Sequence, residues 1–118
     1  MSEVLNPVQI EQSIREVSNR IAEGVAVCSA RYAAFLAADR EYDRAFAAAF
    51  MAHEGPAHAK KYAAELATQD ERQARDVADA AYRYADRTAR ALENELRALQ
   101  SVGASVRSMY AVAGRGES

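Results

Sequence analysis

The fold turns on six residues, His53-Glu54-Gly55-Pro56-Ala57-His58. Glycine admits the left-handed backbone that closes a helix. Proline opens one, because its missing N–H has no partner in a first turn anyway. Gly55 therefore ends one helix and Pro56 starts another. The only other proline, Pro7, also reads as a first-turn residue, with Asn6 before it as N-cap. Working outward, the sequence predicts helix one over about 7–53, a turn at 54–56 and helix two over about 57–112. Each helix would be about 70 to 85 Å long at 1.5 Å per residue. The expected domain is one helical hairpin over 1–113, and the tail 114–118 reads as disordered.

The composition agrees with helix and with little else. Alanine supplies 28 of the 118 residues and tryptophan is absent. Alanine is the best helix former but removes little area from water, so long thin helical packing suits this chain better than a globule. No Asn-Gly or Asp-Gly pair and no alternating β-branched run marks a hairpin of strands. Acid precedes base by four residues in Glu11/Arg15, Glu16/Arg20, Glu71/Arg75, Asp79/Arg83, Asp86/Arg90 and Glu93/Arg97. Such pairs support a solvated helix by about 0.2–0.5 kcal/mol each and have no counterpart in a sheet.

Apolar residues recur at heptad spacing. Helix one carries Ile14, Ile21, Cys28, Phe35, Tyr42 and Ala49 on one line. A second line starts at Ile10 and Val17, shifts by one at Gly24-Val25, and continues through Val25, Tyr32, Asp39 and Phe46. Helix two ends on Leu92, Leu96, Leu99, Gly103, Val106, Tyr110 and Ala113, and farther back the stripe thins to Tyr62, Leu66, Val77, Ala81, Tyr84 and Thr88. Alternating steps of three and four hold such residues on one helix face. A hairpin centred on Gly55-Pro56 sets Phe35 near Asp76 and Val77, Ile21 near Arg90 and Ala91, and Val8 near Gly103. Helix two then overshoots helix one after about residue 104. Two helices alone leave much of each stripe wet, so the expected assembly is a homo-oligomer packed as a coiled-coil-like bundle, a dimeric four-helix bundle being simplest. The residues expected at that interface are Phe35, Tyr42, Phe46, Leu92, Leu96, Leu99, Val106 and Tyr110.

Charge and motif exclude more than they assign. The formal charge is −2, from 15 basic and 17 acidic residues, and demands neither nucleic acid nor a charged surface. Cys28 is the only cysteine, so no intrachain disulfide forms; on its heptad line it reads as core. No uninterrupted apolar run approaches 18 residues and the N-terminus lacks a secretory pattern, so the expectation is no membrane span and a cytoplasmic location, the host cytoplasm if phage-encoded. His53 and His58 flank the turn with Glu54 between them, but Gly55-Pro56 breaks the helix that would align them, so no metal and no other cofactor is expected. Asp39 sits on an apolar line and needs a polar partner there; no second carboxylate or histidine is spaced to make an acid–base pair. With no nucleophile or phosphate-loop motif, the chain reads as a non-enzyme. Tyr82, Arg83, Tyr84, Arg87 and Arg90 interleave aromatics with arginines, as single-strand binders do. With the more basic end they nominate Arg83, Arg87, Arg90 and Arg107 as a nucleic-acid contact, the alternative reading.

Three stretches carry a resemblance: Tyr42-Asp43-Arg44-Ala45-Phe46, then Lys60 to Thr68 with the sequence KKYAAELAT, then Leu96 to Arg107 with the sequence LRALQSVGASVR. Over about 30–110 the chain resembles small Ala/Arg-rich helical proteins of unknown function from actinobacterial phages and prophages. That resemblance implies an accessory role, acting through self-assembly and a protein partner or in phage recombination or replication, and transfers no site residues. The chain is similar in length to secreted WXG-type hairpins as well. It departs from them where its turn reads His53-Glu54-Gly55-Pro56 without tryptophan, and where Tyr82-x-x-x-Asp86 lies inside helix two instead of after it.

Overall fold

The computed structural model describes residues 6–116. It is all-α, with α1 at Pro7–Ala52, α2 at Ala57–Ala67 and α3 at Gln69–Gly116, and no strand among the described residues. The chain folds as a helical hairpin that divides into two compact units, one of residues 6–26 with 87–116, the other of residues 27–86.

The punctuation works as chemistry requires. Asn6 Oδ1 accepts the Gln9 N–H at 2.9 Å and caps α1, whose first residue is Pro7. Gly55 has φ +130°, a conformation that side chains disfavour. Pro56 is the N-cap of α2 (φ −68°, ψ 159°), and its carbonyl accepts the Lys60 N–H at 3.1 Å. The turn thus spans residues 53–56, one residue wider than expected.

Helix two is not continuous. It breaks at Thr68, where φ −119° and ψ 24° leave the helical region. The Thr68 hydroxyl donates to the Ala64 carbonyl at 2.6 Å, a back-bond known to bend helices, and Thr68 is buried. Its own carbonyl accepts the Arg72 N–H at 3.0 Å, and Asp70 and Glu71 in the next turn complement the dipole of the restarted helix. At the far end α3 runs to Gly116, past the expected stop near 112. Of the expected disordered tail, 114–116 are helical, and 117–118 lie outside the described residues.

In the unit of residues 27–86, partner numbers rise as α1 numbers fall. The Lys60 ammonium sits 5.7 Å from the Phe50 ring centre, Arg75 reaches Asp39 at 3.9 Å and stacks 4.6 Å from the Tyr42 ring centre, and Tyr32 meets Tyr82 at 5.0 Å. That is antiparallel pairing. Near the turn it follows the expected register; from Asp39–Arg75 onward it is about three residues ahead, and the slip falls across Thr68. In the other unit Ile10 and Ile14, not Val8, lie against Gly103. A β-carbon on Gly103 would stand 3.3 Å from Ile10 Cγ2, so glycine lets the helices approach closely there.

One face of α1 is lined as the spacing foretold. Ile14, Ile21, Cys28, Phe35, Tyr42 and Ala49 are all half-buried, and Ile10 and Val17 are buried. The second line follows Gly24 instead of Val25, whose side chain is 67% exposed. A valine one residue off a 3.5-residue line points about 100° away from it.

The larger correction lies in α2 and the first part of α3. Tyr62, Leu66, Val77 and Tyr84 are 61–72% exposed, and Thr88 is exposed as well. The inward line of α3 is Glu71, Arg75, Ala78, Tyr82, Ala85 and Ala89, leading in steps of three and four to Leu92, Leu96, Leu99, Gly103 and Val106. Apart from Tyr82, small and charged side chains therefore face α1 in the unit of residues 27–86, and Tyr62, Leu66, Val77 and Tyr84 face out.

One expectation about bilayers needs amending. Within α1 an 18-residue window reaches a mean hydropathy of 1.3 with no more than two charged residues, enough by length and composition alone to cross a membrane. Alanine lifts the average without making an uninterrupted apolar run. Core helices of soluble proteins meet the same criterion when they are mostly buried, whereas none of this window's residues is buried within the chain.

Candidate functional site

In the unit of residues 27–86 a polar seam crosses the hairpin. Arg75 is its centre, placed on the inward line of α3 and two-thirds or more covered. It bridges Asp39 at 3.9 Å and Asp76 at 3.3 Å and covers the Tyr42 ring. Asp39 thus has the cationic partner that its place on an apolar line requires. Arg75 turns to these groups instead of to Glu71, its expected partner one turn back. Glu71 Oε2 is left buried without a hydrogen-bond partner. On the solvent side Glu41 and Arg44 form a two-pronged pair, with Arg44 Nε donating at 3.0 Å. That hydrogen bond holds the Glu41 carboxyl below its ordinary value and raises the Arg44 guanidinium. Of the spaced pairs, Asp79/Arg83 closes at 3.1 Å. Tyr42, Phe46 and Phe50 make a ladder along α1, with centroids 6.1 and 6.4 Å apart.

In the other unit an open groove of about 650 Å³ runs between the helices, lined by Glu11, Ile14, Arg15, Ser18, Gln100 and Arg107. Its lining carries one carboxylate and two guanidiniums. Cys28 is a half-buried free thiol. His53 and His58 are exposed at the turn. Among the described residues no group of three or more His, Cys, Asp or Glu side chains is placed to hold a metal ion.

The residues expected between copies divide into three classes. Leu92 and Val106 are buried within the chain, at 7% and 5% exposure, so they belong to the hairpin's own core. Phe35, Tyr42, Phe46, Leu96 and Leu99 are half-buried along the same inward faces. Tyr110 is 53% exposed, beyond the level where α1 begins. Arg83, Arg87, Arg90 and Arg107 are all exposed, but the first three already hold interactions within the chain.

Sequence reasoning missed the outward apolar residues of α2 and the first part of α3 as a surface. Tyr62, Leu66, Val77 and Tyr84 fall on the expected seam but not on the real one, and Val102, Met109 and Val112, at 37%, 67% and 66% exposure, form another outward set on α3. The signal was available: stepping back from Leu92 by threes and fours lands on Ala89, Ala85 and Tyr82, which leaves Tyr84 and Val77 off the line.

Compared with protein-family models, curated proteins and solved structures, the chain has no match.

Proposed function

We infer that this chain is a non-enzymatic interaction protein that works by assembling with copies of itself, an accessory factor of the kind its resemblance to phage helical proteins implies. The observation that carries this is surface. The chain exposes 8809 Å², where a compact globular monomer of its 12.9 kDa would expose roughly 6,300 Å² by the usual mass scaling. Only five apolar side chains, Ile10, Val17, Ala64, Leu92 and Val106, are buried among the described residues. Thirteen large apolar ones among the described residues are more than a third exposed. The difference of about 2,500 Å² exceeds the roughly 800 Å² that one partner contributes to a standard interface.

Assembly makes stability depend on concentration. Thermal unfolding followed by helix signal should show a midpoint that falls on hundredfold dilution, as mass action requires. A midpoint independent of concentration would remove this reading. Nucleic-acid binding through Arg83, Arg87, Arg90 and Arg107 is the alternative. It would appear as a shift on single- or double-stranded DNA that strengthens at low salt. The engagement of Arg83 with Asp79 and the net charge of −2 speak against it.

A further inference from the structure

α3 carries two heptad lines in the unit that contains residues 87–116. The inward one, Leu92, Leu96, Leu99, Gly103 and Val106, is covered by α1. The second is Ala91, Glu95, Ala98, Val102, Ser105, Met109 and Val112, again in steps of four and three, and every member is exposed. Each member of the inward line stands one residue after a member of the second, so at 3.6 residues per turn the lines lie about 100° apart around the helix, close to the angle between two neighbours of a helix in a four-helix bundle. The second line is sparsely charged: from Ala98 to Gly114 the only ionic side chain on α3 is Arg107, which falls well off it. A 3.5-residue repeat of small and apolar residues is the pattern that receives another helix.

We propose that this line seats the same line of a second copy, antiparallel and centred near Gln100. The inference rests on the self-assembly reading above and names its surface. Three features select the occupant and the direction. Antiparallel pairing about Gln100 layers Ala98 on the partner's Val102, Ala91 on the partner's Met109 and Glu95 on the partner's Ser105. Large residues then meet small ones, and the one carboxylate in the line meets a hydroxyl that can donate to it. Parallel pairing would stack Glu95 on its own copy, a like-charge contact. A twofold contact also closes on itself, so it uses the excess surface without leaving the face open for a further copy. Small side chains at Ala91, Ala98 and Ser105 let two α3 helices approach closely.

The test uses the full chain with Cys28→Ser and a single added cysteine, Ala91→Cys in one preparation and Met109→Cys in another. Oxidised alone, neither should form a covalent dimer, since each cysteine lies about 27 Å from its copy in the antiparallel register. Mixed, they should cross-link, the two positions being face to face. Cross-linking within each preparation and not between them would mean parallel pairing and overturn the proposal. In parallel, Val102→Glu with Met109→Glu should give a helical chain of half the wild-type mass by light scattering. Met109 is 67% and Val102 37% exposed, and helix content by circular dichroism, unchanged from wild type, shows that the fold stands. If the wild type is oligomeric and this double variant stays so, the seam is wrong while self-assembly stands; a monomeric wild type removes both. Wild-type Met109 should also be oxidised by peroxide more slowly than Met51, which is 75% exposed in the chain. Slow oxidation in a monomer would place another part of the same chain on the line and refute the second copy.

Discussion

Replacing Glu71 by methionine should make this protein more stable, although it removes a charge from a helix rich in ion pairs. Glu71 lies on the inward line of α3, and its Oε2 is buried without a hydrogen-bond partner. A buried polar atom left unsatisfied costs about 1–3 kcal/mol, more when charged. Against that gain stand two losses. Glu71 is in the first turn of α3, where a negative charge is worth about 0.3–1 kcal/mol, though Asp70 remains there. It also attracts Arg44, whose side chain is 67% exposed, so solvent screens that attraction and it does not decide the sign. Glutamate and methionine have nearly equal helix propensity, so that contribution cancels. The net expectation for Glu71→Met is a gain of about 1 kcal/mol, a rise in Tm of about 4 °C for a chain of this size. Glu71→Gln, which keeps a polar atom in the same place, should gain less. The assay is thermal and urea unfolding of the variants at one fixed protein concentration, since assembly would otherwise mix into Tm. A loss of 1 kcal/mol or more for Glu71→Met would show that the carboxylate stabilises the seam, and would refute the assignment of Arg75 to Asp39 and Tyr42 in place of Glu71.

Other residues give equally direct tests. Gly103→Leu should cost about 2–3 kcal/mol in urea unfolding, because a β-carbon already stands 3.3 Å from Ile10, whereas Gly103→Ala should fall within about 1 kcal/mol of wild type as helix propensity offsets the tight contact. Val17→Ala should cost about 1–2 kcal/mol, and Val25→Ala, on a side chain 67% exposed, less than about 0.5 kcal/mol. Asn6→Ala should lower stability by about 1 kcal/mol through loss of the cap on Gln9, seen as faster amide exchange in the first turn of α1. The Glu41 carboxyl should titrate below its ordinary 4.5 by NMR, and Arg44→Gln should return it toward that value. Because the folded-state value is depressed, the small stability it lends is present above the unfolded value and fades as pH falls through the folded one.

How much of this was legible in the sequence depends on contrast between side chains. Asn6, Pro7, Gly55 and Pro56 differ sharply from their neighbours in backbone chemistry, and they fixed where helices start and where the chain reverses. The lines from Ile14 to Phe35 and from Leu92 to Val106 were legible because large apolar residues stand among polar ones. Between residues 57 and 91 that contrast fails. Alanine occurs on every side of the helix, so an inward line of Ala78, Ala85 and Ala89 looks no more apolar than the outward one. The bulky residues there, Tyr62, Leu66, Val77 and Tyr84, draw a reader of the sequence to the solvent face. The break at Thr68 was not legible either: threonine is common in helices, and only burial of its hydroxyl against the Ala64 carbonyl distinguishes this one. The slipped register follows, since the expected partners assumed an unbroken second helix. For the interaction surface, heptad spacing was the right signal, but it assigns Leu92 and Val106 to a neighbouring copy when α1 of the same chain covers them.

The central claim is that this hairpin has too much surface to stand alone. Sedimentation equilibrium of the full chain, from about one to about a hundred micromolar to span a standard protein–protein affinity range, tests it most directly. At the higher concentrations the mass should reach twice the 12.9 kDa of a single chain. A fit to one chain across the whole range would contradict it.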